Sequence, residues 1–445
     1  MLRSLTIAVT MLGGLTMNLR HFTPLVATAQ GEDVQFDVND VSYLWPAPKT
    51  KEDVASLISA DELIEDGSSP IWPKDVFGAV IGKAQTITIA NSIGGTNRID
   101  FATFVGSLSQ PSNWKIVAFR VDPSAPGAST AVISVFGSSP QLRLIVQPVT
   151  IDDKSGAVRV HDVTAHLVFS FVKGFDPPLS AGGPPRAIPD REKFGSLVGD
   201  LKALKATLHA ANVETAGKLT VHPGFQKNIP GFSDKIRAFL KKYIRPDRLG
   251  AVAFMGIEPP EPWIFFAMSK KADRTMFVPP HPVLGDTAAQ MLTFQGGTPV
   301  MPQPKTTNID LTRGVSTSML LPSATPEKLN SVVFNDLPRP LHKDIPDIIA
   351  NPQRSNFFNT DCISCHSESS RRKELQLNVT DNQFRYILPN SISGVDENIL
   401  PKNQWNVRNF GWFPDGPSPT ATMRTENESA ESADYMNREY LTPKK

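Results

Sequence analysis

Short apolar runs separated by polar breaks dominate the first part of the chain. Runs of β-branched and aromatic residues with partial alternation lie at 85–90, 114–121, 141–146 and 158–171. Clusters of Gly, Pro, Ser and Asn separate them. Alternating runs between turn-forming clusters are typical of half-buried strands. We therefore predict a β-rich domain over residues 30–175.

The hydrophobic period changes further along the chain. Apolar residues within 194–208 recur at steps of three and four, which predicts an amphipathic helix. Ser233 is a candidate N-cap for a second helix. Apolar runs at 249–257 and 263–268 predict buried strands. These elements predict an α+β region over residues 190–330, with the possibility that it continues the preceding domain.

The most distinctive pattern is Cys-Ile-Ser-Cys-His at residues 362–366. It contains both cysteines of the chain, and C-x-x-C-H is the attachment sequence of a c-type haem. One helical turn can present the thiols of Cys362 and Cys365 to the edge of the macrocycle, and His366 can then ligate the iron from the same side. We therefore predict one covalently bound haem c.

Three other kinds of site explain this motif less well. A zinc site needs more cysteines or a second Cys/His pair at a suitable spacing. A thioredoxin-like redox pair should follow a strand and open a helix, which the residues before the motif do not indicate. A structural disulfide across two residues is strained and leaves the histidine unexplained.

The residues around the motif extend this interpretation. A short helical segment at 344–349 precedes it, and Met423 follows His366 by 57 positions, just before a final amphipathic helix. On these features residues 341–441 resemble a class I cytochrome c domain. The resemblance implies an all-α domain over 341–445, with the Met423 thioether as the second axial ligand of the iron. A proline that the family often carries shortly past the histidine is missing here.

The second axial ligand has alternatives. Met423 also suits a packing role at the start of a helix, and an upstream histidine, with His342 nearest in sequence, is a further option. His161 and His166 lie five positions apart on a predicted strand, so that we expect them on opposite faces and not on one metal.

Three further side chains are candidates for contact with the haem propionates. Trp405, Arg408 and Trp412 carry N–H donors that suit carboxylates. A core role for the tryptophans of this segment, Trp405 and Trp412, is an equally simple interpretation.

The N-terminus has the pattern of an export signal. Arg3 precedes a short apolar run, and Ala27-Thr28-Ala29 has the small-x-small form of a cleavage site. The run is too short to span a bilayer. We therefore predict a signal peptide over residues 1–29, a mature chain that starts near Gln30, a periplasmic location and no transmembrane segment after the leader is removed.

Charge and motif content narrow the classes of function. The chain has 45 Lys and Arg against 44 Asp and Glu, which argues against nucleic acid as a partner. It contains no nucleotide-binding loop, nucleophile elbow or H-E-x-x-H sequence. A di-haem peroxidase would need a second C-x-x-C-H, which is missing.

Together these patterns predict a multidomain protein with a β-rich N-terminal region, an α+β middle region and an all-α C-terminal domain. The predicted function is an exported mono-haem c-type cytochrome that carries single electrons to or from a periplasmic redox partner protein; if the protein is an enzyme, it is an oxidoreductase. The alternatives are a haem-containing periplasmic oxidoreductase, a peroxidase-like enzyme and a haem-based sensor. Ligation of the iron separates these classes, because an open axial position suits catalysis or sensing.

Overall fold

Antiparallel strands make up the centre of the molecule. The structure is a computed structural model, and it describes residues 34–178, 185–279, 345–402 and 406–442, with short gaps inside these ranges, and short strands between 289 and 316. The described strands are β1 (Ser42–Leu44), β2 (Thr88–Ala90), β3 (Thr96–Arg98), β4 (Trp114–Asp122), β5 (Gln141–Ile151), β6 (Val158–Val160), β7 (Val163–Ser170), β8 (Val172–Asp176), β9 (Arg186–Pro189), β10 (Leu249–Ile257), β11 (Trp263–Lys270), β12 (Met276–Phe277), β13 (Ala289–Gln295), β14 (Thr298–Val300), β15 (Ile309–Asp310), β16 (Val315–Ser316), β17 (Phe410–Phe413) and β18 (Ser418–Ala421).

Helices flank these strands along the chain. The described helices are α1 (Val38–Val41), α2 (Lys51–Ser56), α3 (Lys74–Thr86), α4 (Val105–Leu108), α5 (Arg191–Ala210), α6 (Pro223–Gln226), α7 (Phe232–Tyr243), α8 (Ile345–Ala350), α9 (Cys362–Glu374) and α10 (Met423–Met436). We refer to α9, which contains the C-x-x-C-H sequence, as the motif helix. None of the helices in the described part of the chain is long and apolar enough to cross a membrane.

Ten of the described strands form one sheet. Its path is β1-β4-β5-β7-β10-β11-β13-β14, with β6 paired to β5 and β12 to β11. The predicted strands at 114–121, 141–146, 249–257 and 263–268 are confirmed as parts of β4, β5, β10 and β11. Because β7 pairs with β10, the sheet joins the predicted β-rich and α+β regions, and residues 35–445 form one compact unit.

One face of the sheet is apolar. Register places Phe119, Leu144, Leu167 and Val252 side by side on four neighbouring strands, and all four are buried. Helices α5 and α7 lie near this core, with Phe239 of α7 against Phe119 at a ring-centroid distance of 5.9 Å. The predicted period of the first helix is confirmed, because its buried side chains are Phe194, Leu197, Val198, Leu201, Leu204 and Leu208.

The opposite face, which we call the polar face, has different residues. Arg120, Arg143 and His166 lie on it, on β4, β5 and β7, together with Ala253 and Ala267 on β10 and β11. Side chains alternate along a strand, so that the apolar neighbours of these residues point the other way. The C-terminal residues of the chain cover this face.

The prediction of an all-α C-terminal domain is wrong. Within the described part of 341–445, the hairpin of β17 and β18 accompanies the helices. Contacts with the sheet anchor this segment: Gln147 Nε2 donates to the Trp412 carbonyl at 2.9 Å, and Arg120 pairs with Glu428 of α10 at 2.5 Å. The fold is therefore a mixed α/β structure around one antiparallel sheet, and the multidomain fold class is also wrong.

Local signals explain two smaller differences from the predictions. Helix α7 begins at Phe232 after Gly231, whose φ of 71° lies in the left-handed region, so that Ser233 is inside the helix and is not its cap. Part of the run at 85–90 belongs to the end of helix α3, and only Thr88–Ala90 forms a strand.

Candidate functional site

The motif helix begins at the first cysteine of the motif. Cys362, Cys365 and His366 occupy its first two turns, where residues three and four apart share one face. All three side chains are half-buried, and the two sulfurs are not joined in a disulfide. This is the helical presentation of two thiols and one imidazole that the spacing predicts.

A hydrogen bond fixes the tautomer of His366. Its Nδ1 lies 2.9 Å from the carbonyl oxygen of Val407. A carbonyl only accepts hydrogen bonds, so Nδ1 carries the proton and the lone pair is on Nε2. Metal-binding histidines have this arrangement, in which a partner at one ring nitrogen orients the other toward the metal. The ring of Phe265, at 5.0 Å and 64°, supports the imidazole from the side.

The protein keeps this imidazole neutral. Burial lowers the pKa of His366 to about 4; the hydrogen bond to Val407 opposes this effect, and the charge of Arg143 adds to it. At neutral pH the ring is therefore uncharged, which is the form that binds metals.

A second histidine faces the first. His166 lies on β7 between Ile145 and Ala253, and its ring centroid is 6.5 Å from that of His366, with 43° between the ring planes. Burial lowers its pKa well below 6.5, and Arg143, His366 and Arg120 lower it further. The two residues are 200 positions apart in sequence, and they meet because the motif helix covers the polar face.

Small side chains line the polar face beside His166. Ala253 pairs directly with His166, and Ala267 pairs with Ala253. Ala253 is exposed and Ala267 is half-buried, although both belong to interior strands of the sheet. The next row, Ala251 and Ser269, is also small and half-buried. This surface therefore has room for a flat group that a row of large side chains would fill.

Arg143 adds a positive charge at this site. Its charge lowers the pKa of both His166 and His366, and it interacts with Cys365. Its Nε is buried and has no hydrogen-bond partner within the described part of the chain. A buried N–H donor of this kind suits an anionic or strongly polar group.

The residues predicted to contact the haem propionates are Trp405, Arg408 and Trp412, and the two that the structure describes bond to other protein groups. Arg408 forms a buried ion pair with Asp162, and its Nε donates to the Trp412 carbonyl at 2.9 Å. Trp412 is fully buried, and its indole N–H donates to the Trp45 carbonyl at 2.9 Å, which favours the core interpretation of this tryptophan. Trp405 lies outside the described residues.

Met423 begins helix α10 beside the motif helix. Its backbone N–H donates to Ser369 Oγ at 2.9 Å, and its side chain is half-buried. Ser369 lies three residues after His366 on the motif helix, so the main chain of Met423 is on the same side as His366. The predicted alternative His342 lies outside the described residues.

The residues of this site fit a c-type haem. They include two thiols and one neutral imidazole on a single helix face, a second imidazole on the facing sheet, and small side chains on the sheet beside it. The sequence analysis did not identify His166, Arg143 or the small side chains of Ala253 and Ala267 as parts of the site. A signal was present, because ionisable residues at alternate positions of apolar strands mark one polar sheet face.

Comparisons with known proteins found no relative of this chain. No protein-family model matches the chain, and no curated protein and no solved structure matches it either.

Proposed function

We propose that this protein is an exported mono-haem c-type cytochrome that carries single electrons to or from a periplasmic redox partner protein. The observation that supports the proposal best is the geometry of the motif helix. It brings both cysteines to one face and leaves Nε2 of His366 with its lone pair, since Nδ1 donates to Val407.

In this proposal each residue of the site has a distinct task. The thiols of Cys362 and Cys365 would hold a c-type haem by adding their S–H bonds across its two vinyl groups, which gives two thioethers, and His366 would supply a nitrogen ligand to the iron. Bound haem provides a centre that gains and loses one electron. The buried ring of Phe265 lies against the His366 imidazole and would limit the access of water on that side, and a lower local polarity shifts the reduction potential of such a centre.

Covalent attachment is the direct test of this proposal. The wild-type chain, produced in a host that attaches c-type haem, should keep its haem on a denaturing gel and after acidified-ketone extraction. Replacing Cys362→Ala and Cys365→Ala together should abolish the retained haem, since no thioether can form. The matched control is Ser364→Ala, which changes the same helical turn but no thiol and should keep the haem. Clean extraction of haem from the wild-type chain would contradict the proposal.

Export is a separate prediction, because the leader at residues 1–29 lies outside the described residues. The haem-bearing protein should begin near Gln30 and occur in the periplasmic fraction. N-terminal sequencing of the purified protein measures this directly. An intact Met1 on the haem-bearing protein would show that no leader is cleaved.

A further inference from the structure

We propose that the imidazole of His166 is the second axial ligand of the haem iron, on the side opposite His366. This assignment rests on the proposed function and makes it more specific. It replaces Met423, which the class I resemblance implies, with a histidine from the central sheet.

The first argument is the separation of the two rings. A metal–imidazole nitrogen bond is about 2 Å long, so two imidazoles on opposite sides of one metal have centroids about 6 Å apart, which we obtain by adding the ring radius at each end. The observed distance between His166 and His366 is 6.5 Å. Both ring planes then contain the axis through the metal, so that any angle between them is allowed, including the observed 43°.

The second argument is the side from which each ligand comes. His366 is on the motif helix, and His166 is on the sheet that the helix covers. A macrocycle between the two would lie against Ala253 and Ala267, whose short side chains keep exposed surface. The backbone N–H of Met423 donates to Ser369 of the motif helix. Met423 therefore lies on the side of the macrocycle from which His366 already comes.

The third argument is chemical. An imidazole nitrogen is a common axial ligand of haem iron. His166 supplies an imidazole from the central sheet, with its ring centroid 6.5 Å from that of His366.

The assignment has a functional consequence. Two imidazoles saturate the iron, which leaves no axial position for peroxide or a signalling gas. The site is then an electron-transfer centre. Its potential should be lower than that of a histidine–methionine centre, because a thioether raises the potential.

The wild-type protein alone provides the main test. Haem retention on a denaturing gel establishes covalent attachment. Electron paramagnetic resonance and near-infrared magnetic circular dichroism of the oxidised protein then distinguish the ligand pairs. We expect a low-spin bis-imidazole signature. A histidine–methionine signature or a high-spin iron on a haem-bearing chain would overturn the assignment alone, whereas a chain without covalent haem would overturn the proposed function as well.

Variants give a second test with matched controls. His166→Ala should keep the covalent haem but become high-spin and bind carbon monoxide when reduced. His166→Met should give a histidine–methionine signature and a higher potential. The control His161→Ala removes a histidine that bonds to Thr150 at 2.8 Å, and it should leave the wild-type signature. If Met423→Leu abolishes the low-spin state and His166→Ala does not, the ligand is Met423. If a His166 variant fails to fold, the wild-type spectrum still decides.

Discussion

The two faces of the central sheet are covered by different parts of the chain. The apolar face packs against helices from the middle of the chain, with Phe171 against Phe194 of α5 at 5.7 Å and Phe119 against Phe239 of α7 at 5.9 Å. The polar face is covered by residues from far along the chain, such as Ser432, which donates to Asp122 at 3.2 Å across 310 positions. The apolar face is thus covered by helices from the middle of the chain, and the polar face is covered by the C-terminal residues.

The difference between the faces is also one of chemistry. An apolar core tolerates substitutions among apolar side chains of similar volume, since many such side chains can fill it. Buried polar groups need specific partners, because an unpaired one costs free energy. Helix α10 meets this requirement with the Arg424–Glu428 pair at 2.7 Å and the Arg120–Glu428 pair at 2.5 Å. These contacts fix α10 against the sheet, and the Arg424 backbone N–H, which donates to Glu368 Oε1 at 3.0 Å, ties the motif helix to α10.

The largest effect on stability should come from the apolar face. Leu201→Ala removes a fully buried side chain of α5 and should lower the free energy of unfolding by about 2 to 5 kcal/mol, measured by denaturant titration. The spectrum of the proposed haem should not change, since the site lies on the other face. Lys202→Ala, at the next and exposed position, is the control and should change the stability little. A changed axial signature in Leu201→Ala would show that the two faces are not independent.

A substitution on the polar side, at Glu428, should have a smaller effect on the free energy of unfolding, and that effect should depend on pH. Burial alone would raise the pKa of Glu428, but the charges of Arg120, Arg424 and Arg143 outweigh it and bring the pKa to about 2, from 4.5. A carboxyl with a lowered pKa stabilises the fold above its unfolded pKa, and this contribution is lost as the pH falls through the folded value. Glu428→Gln should therefore cost on the order of 3 kcal/mol at pH 7.

The pH series is the measurement that tests this origin. The difference in unfolding free energy between wild type and Glu428→Gln should shrink as the pH falls from 4.5 toward 2. Asp434→Asn on the same helix is the matched control, because its pair with Arg438 at 3.3 Å is largely exposed and should be worth less than about 1 kcal/mol. A cost for Glu428→Gln that stays constant over this pH range would indicate a packing effect.

The sequence predicted those elements whose signals are local. The period of three and four in α5 and the apolar runs of β4 and β10 depend only on neighbouring residues, and the structure confirms these elements. The C-x-x-C-H spacing likewise predicted a helical turn with Cys362 and Cys365 on one face. In each case the residues that form the sequence pattern are the same residues that form the structural element.

The parts that the sequence did not predict depend on contacts between distant residues. The sequence pattern marks His166 as part of a polar strand face but not as a partner of His366, because only the folded chain brings the two rings to 6.5 Å. Helix α10 was predicted as the amphipathic last helix of an all-α domain, yet Glu426 and Ser429 are buried as well as Ala430. A polar helix is buried in this way only when a polar surface faces it, and the period of one segment does not reveal that surface.

The smallest predicted effect concerns the charge of Arg143 on the polar face. In the proposed haem protein, a positive charge near the iron would favour the reduced state, because the oxidised centre carries one more positive charge. Arg143→Gln should therefore lower the reduction potential, by tens of millivolts for a charge separated by about 10 Å at an effective dielectric constant of about 20. Redox titration measures this shift, with Arg159→Gln as the control, since Arg159 is exposed and its charge is screened by solvent. An unchanged potential in Arg143→Gln would mean that the polar face positions the histidines without tuning the iron by charge.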